Sequence, residues 1–195
     1  TTISKKDNLI LLCDKKSDLS IFKLSKNESE YIAKEQKNNQ EIISINQYER
    51  QILIITPKKD KDANKHAENC RLIGDKLTEK LHSVTSVLII DVKKSHAEAM
   101  HIAEGIALSN YTFTKHKTAP KPNKLSTVYL CANSNKKDLE ELQNIIDAVY
   151  FTRDLINEPF SHLTAKDLAN AAKKSGKKHG FKTTVFNKKK IESLK

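Results

Sequence analysis

Between Gln51 and Asn157 the chain alternates short β-branched runs with stretches of helical periodicity, an order that leaves few folds open. Gln51-Ile-Leu-Ile-Ile-Thr56, Val87-Leu-Ile-Ile90 and Ser126-Thr-Val-Tyr-Leu-Cys131 read as strands. Between them, Cys70, Ile73, Leu77 and Leu81 recur at spacings of three and four, the period of one helix face. Ala99, Met100, Ala103, Ile106 and Ala107 do the same on a second helix, which Ser95 is placed to cap. A third apolar stripe runs through Leu139, Leu142, Ile145, Ile146, Val149, Tyr150 and Leu155, predicting a helix from about Lys136 to Asn157. Strand–helix–strand order imposes parallel crossovers, and these lay helices on the faces of the sheet. Val87–Ile90 is apolar throughout, so it is expected in the centre, covered on both faces.

The first third of the chain adds a mixed element. Asn8-Leu-Ile-Leu-Leu-Cys13 is a short apolar run of the kind that forms a buried strand. Ser25-x-x-Glu28 is a capping box opening a polar helix through about Gln36. Glu41-Ile-Ile-Ser-Ile45 and Gln51–Thr56, separated by a short polar gap, predict an antiparallel hairpin closed by Pro57. Residues 1–135 are therefore expected to form a three-layer α/β/α sandwich with a mixed sheet, followed by a connecting helix over 136–159. Gly105 sits inside a helix at a cost of roughly 1 kcal/mol relative to alanine, which points to close approach of another backbone, expected to be a strand. Beyond Pro159, Thr164 is placed to cap a helix that Gly176 or Gly180 terminates, Phe181–Phe186 reads as a strand, and Lys188–Lys195 begins a helix. So few elements cannot bury a core of their own, so 160–195 is read as the incomplete start of a second α/β domain and the chain as a fragment.

Composition narrows the function classes. With 37% hydrophobic and 30% charged residues among 195, the chain has a globular composition. No run reaches the length of a membrane span, and the N-terminus carries no apolar signal region. Cys13, Cys70 and Cys131 lie far apart, without paired spacing and with no histidine partner recognised in sequence. They read as reduced, partly buried thiols of a cytoplasmic protein. The net charge of +11 is concentrated late: the first 110 residues hold 18 basic and 16 acidic side chains, the rest 17 and 8. Lysine supplies nearly all of it, whereas base readout and bidentate phosphate contacts lean on arginine, so a nucleic-acid partner is not expected. A lysine-rich binding module for nucleic acid or an acidic partner stands as the alternative class.

Where the third helix ends, polar residues crowd together: Arg153, Asp154, Asn157 and Glu158, then Pro159. The words Arg153-Asp-Leu-Ile-Asn-Glu-Pro159, followed by Leu163-Thr164, resemble the signature of the leucyl (cytosol) aminopeptidase family. Upstream, Ala103-Glu-Gly-Ile-Ala-Leu108 with Tyr111, Phe113 and Lys117 resembles a second segment of the same family. The sequence departs from the family's pattern at His116 and at Phe160-Ser161-His162. The resemblance implies a macrodomain-like N-terminal domain, joined by a long helix to a catalytic domain. It further implies a parent that is a hexameric, cytoplasmic metallopeptidase acting on peptide N-termini with two divalent ions, zinc or manganese. The family's ligand motifs, a lysine with aspartate-rich and glycine-rich segments, are absent from this chain, so no catalytic or metal residue is assigned in it. Arg153, Asp154, Asn157, Glu158 and Pro159 are read as structural residues of a domain junction.

Other chemistry finds little support in the sequence. The four glycines, at 74, 105, 176 and 180, match no phosphate-binding loop. His96 and His101 lie about 500° apart around a helix and point to different faces, so with Glu98 and Glu104 they do not make one metal site.

Overall fold

The computed structural model describes residues 3–132 and 135–194. The chain divides into two compact units, Thr1–Ala148 and Val149–Lys195. The first is built on five strands: β1 (Leu9–Leu12), β2 (Ile42–Asn46), β3 (Gln51–Ile55), β4 (Ser86–Asp91) and β5 (Thr127–Cys131). Their order in the sheet is β2-β3-β1-β4-β5, with β2 antiparallel to β3 and every other pairing parallel. Between them run α1 (Lys26–Lys37), α2 (Ala63–Lys80) and α3 (His96–Ser109), and α4 (Lys136–Asn157) follows β5. The mixed α/β/α sandwich expected from the alternation is present.

Side chains alternate faces along each strand, so the sheet carries two cores. Ile10, Leu12, Leu53, Ile55, Val87 and Ile89 face α2 and α3, where Cys70, Ile73, Leu77, Ile102 and Ile106 meet them. Leu9, Leu11, Ile43, Ile45, Ile52 and Ile54 face the other way, toward Phe22 and Ile32 of α1's layer. Strand β1 is the centre, all four of its residues fully buried. Val87–Ile90, expected at the centre, instead lies one strand from the edge. Leu88 and Ile90 are only partly covered, because beside them on β5 the residues on that face, Tyr129 and Cys131, are exposed.

Local chemistry fixes the helix starts. Ser25 and Glu28 close both bonds of a capping box before α1, and the Asp62 side chain accepts from the Asn64 and Lys65 amides at the start of α2. Ser95 occupies the N-cap position of α3 but makes no side-chain cap bond; Asp91 accepts from its amide instead. Helices α2 and α3 cross backbone to backbone. A Cβ on Gly105 would overlap the Arg71 carbonyl, and one on Gly74 would overlap that of Ile102. The close approach read from Gly105 is thus real, but the neighbour is a helix, since α3 already lies on the sheet and turns this face to α2.

The second unit contains the end of α4, then α5 (Ala165–His179) and α6 (Lys188–Glu192). Thr164 and Asp167 form a capping box on α5, and Gly180, at φ 78°, ends it. Phe181–Phe186, expected as a strand, is irregular. Among the described residues no strand pairs with it, and it folds back on α5 instead, with the Phe181 amide on the Gly176 carbonyl and the Thr183 hydroxyl on that of Ala172.

Candidate functional site

Among the described residues, buried ionisable side chains gather where α2 meets the start of α3. His66 and Cys70 are one helical turn apart on α2, so both side chains point the same way. Glu98 stands in the first turn of α3. Its Oε1 lies 3.0 Å from His66 Nε2, and its Oε2 contacts Lys93 Nζ. Lys93 reaches in from the loop between β4 and α3. That loop is anchored by the Val92 and Lys93 amides on the Leu12 carbonyl and turns at Lys94, whose φ of 59° is left-handed. One ring nitrogen of His66, Sγ of Cys70 and a carboxylate oxygen of Glu98 all fall within 4.8 Å of one another.

The electrostatics of this cluster are set by burial. Side-chain exposure is 9% for Glu98, 10% for Lys93 and 21% for His66. Burial raises the Glu98 carboxyl, but hydrogen bonds from Lys93 and His66 outweigh it and hold the group below its usual range. At Cys70 burial dominates: reinforced by the Glu98 charge and only partly offset by Lys93, it pushes the thiol up to about 11. His66 Nδ1 is buried without a hydrogen-bond partner among the described residues.

Sequence reasoning missed this group. The signal for half of it was present, since His66 precedes Cys70 by the four residues that stack side chains on a helix. The other half, Lys93 and Glu98, comes together with α2 only through the β4–α3 loop. His96 and His101 do diverge: His96 Nε2 lies 3.2 Å from Asp138 at the start of α4, and His101 Nδ1 lies 3.5 Å from Glu104. Glu104 also takes Arg71 Nε at 2.7 Å, tying α3 to α2 a second time. The cysteines differ from one another. Cys13 and Cys70 are buried, whereas Cys131 is exposed because nothing covers that face of β5 among the described residues.

Arg153, Asp154, Asn157 and Glu158 occupy the last turns of α4 and the residue beyond it, and Pro159 follows. Arg153 and Glu158 are half-buried; Asp154, Asn157 and Pro159 are exposed. No residue of α4 is fully buried, and Ile145, Phe151 and Ile156 on it are exposed. Of the late lysines, Lys177 and Lys178 stand in the last turn of α5, where positive charge offsets the negative end of the helix dipole. None of the described helices is long and apolar enough to cross a membrane.

No family model matches the chain. A probable cytosol aminopeptidase of Clostridium perfringens is 34% identical over 102 residues, which is 48% of this chain and 21% of that protein. Among solved structures, a mutant of tomato leucine aminopeptidase superposes with a TM-score of 0.72 at 13% identity, over 100% of this chain and 44% of that one. The bottromycin maturation enzyme BotP, in complex with Mn, superposes at 0.69 and 15% identity, over 97% of this chain and 40% of its own. At such identities the structural likeness establishes the fold. The matched stretch spans about a fifth of the length of the Clostridium protein.

Proposed function

We propose that this chain, a relative of the leucyl (cytosol) aminopeptidases, is the non-catalytic N-terminal portion of a metal-dependent exopeptidase that removes amino acids from the N-termini of peptides. One observation carries the reading: a stretch of 34% identity to a cytosol aminopeptidase lies in a chain whose whole length follows a leucine aminopeptidase fold. In the longer protein, residues 1–135 form the N-terminal domain, 136–159 the connecting helix, and 160–195 the start of the catalytic domain. Arg153, Asp154, Asn157, Glu158 and Pro159 then shape the end of that helix, where the chain turns into the next domain. The parent works in the cytoplasm, as a homo-hexamer, on peptide substrates.

A two-ion hydrolytic centre uses its metals to generate hydroxide and to stabilise the oxyanion. The donors in this chain do not fit such a centre. Among the described residues, the grouping His66, Cys70 and Glu98 offers one carboxylate and a thiol, a set suited to a single borderline-soft ion, not to a carboxylate-bridged pair. No step of peptide hydrolysis is therefore derived from residues of this chain.

The coding sequence downstream of Lys195 tests the proposal, together with an assay of both products on a leucyl chromogenic substrate with Mn²⁺ or Zn²⁺. The expected result is metal-dependent hydrolysis by the longer product and none by this chain. Hydrolysis by this chain alone, or a reading frame that stops at Lys195, would overturn it. The lysine-rich binding module would then be tested by titrating the chain with DNA and RNA across a salt series, where phosphate-driven binding weakens steeply as salt rises.

A further inference from the structure

We propose that His66, Cys70 and Glu98 form a single-ion site for Zn²⁺ or a related borderline-soft cation, and that the Lys93 ammonium occupies the cation position when no metal is bound. The two α2 ligands come at the i, i+4 spacing that presents a pair of donors on one helix face. Glu98 completes three donors, an imidazole nitrogen, a thiolate and a carboxylate, already gathered within 4.8 Å of one another. That is a zinc donor set with a fourth position left for water. The orphaned His66 Nδ1 adds a second, independent observation: one ring nitrogen is held by Glu98, and the other is buried with no partner among the described residues.

Charge balance explains how a site occupied by an ammonium can accept a dication. Without metal, the buried Lys93 ammonium faces the Glu98 carboxylate, and Cys70 is a buried free thiol. On binding, the metal takes the place of Lys93, the Cys70 S–H bond breaks, a metal–sulfur bond forms, and one proton leaves to solvent. The dication is then balanced by one thiolate and one carboxylate, so the buried net charge is unchanged. Lys93 has a flexible four-carbon stem on a loop and is 10% exposed, so it can swing its ammonium into water. Exchange therefore avoids the penalty of burying an uncompensated charge. This inference does not depend on the peptidase reading.

Titration of the intact chain with Co²⁺, a spectroscopic substitute for zinc, tests the site, alongside Zn²⁺ competition and potentiometric proton counting. The expected result is one ion per chain, a thiolate-to-cobalt charge-transfer band, and release of about one proton per ion. Cys70→Ser should abolish the band, His66→Gln should weaken binding at least tenfold, and Lys93→Met should tighten it at least tenfold by removing the competing ammonium. Circular dichroism identifies any variant that fails to fold, and Lys93→Met keeps the test decisive because it predicts a gain. Binding that survives Cys70→Ser without loss, or a folded Lys93→Met chain that binds no tighter than the parent, would overturn the proposal.

Discussion

Glu98 is held as a nearly buried carboxylate between Lys93 and His66, and its removal strands both partners. Glu98→Ala should cost about 3 kcal/mol at neutral pH, measured by urea unfolding, because an uncompensated buried charge remains. The folded carboxyl ionises below its unfolded value, so this contribution is complete above that value and is lost as pH falls through the folded one. The stability gap between parent and Glu98→Gln should accordingly narrow on acidification; a gap constant with pH would show that the carboxylate charge contributes nothing. The three thiols give a second residue-level test. Cys131 is exposed, whereas Cys13 and Cys70 are buried and pushed up to about 11. Iodoacetamide should therefore label Cys131 first and leave the other two until the chain unfolds, as read by peptide mass spectrometry. Equal labelling of all three in the folded chain would contradict this.

At the scale of elements, the crossing of α2 and α3 rests on absent side chains. Gly105→Ala removes a residue that helices disfavour by about 1 kcal/mol, yet it drives a methyl group into the Arg71 backbone, which cannot step aside. Overpacking should win, with a net loss of about 2 kcal/mol in thermal or chemical unfolding. A stabilised variant would mean that the helices separate easily. The strands and helices themselves were largely legible in the sequence, because β-branched runs, the Ser25 capping box, the Thr164 cap and the three-four spacings are local signals. What was not legible depended on pairing. Val87–Ile90 reads as central, but strand order is set by which crossover goes to which side of β1. Phe181–Phe186 has a strand's composition but, among the described residues, no partner to ladder with. The His66–Cys70 spacing was readable, whereas the arrival of Lys93 is a property of a loop fold. Arg153, Asp154, Asn157 and Glu158 were picked out by family resemblance, and their spacing alone marks only a polar helix end.

Over the whole chain, burial is uneven. The first unit holds both cores, whereas among described residues of Val149–Lys195 only Gly176 is fully buried. Hydrogen exchange followed by mass spectrometry should find α5 amides opening far more readily than those of β1, since local stability follows buried contacts. Comparable protection in the two would argue against this picture. The placement of β1 also bears on biosynthesis. Its neighbours in the sheet are 43 and 79 residues further along, since Leu9 pairs with Ile52 on one side and Leu88 on the other. At about 5–20 residues per second, a ribosome needs several seconds after making Leu9-Ile-Leu-Leu12 before it has made both flanking strands. Once it has left the tunnel, this apolar segment waits out the rest of that interval without the two strands that flank it in the sheet.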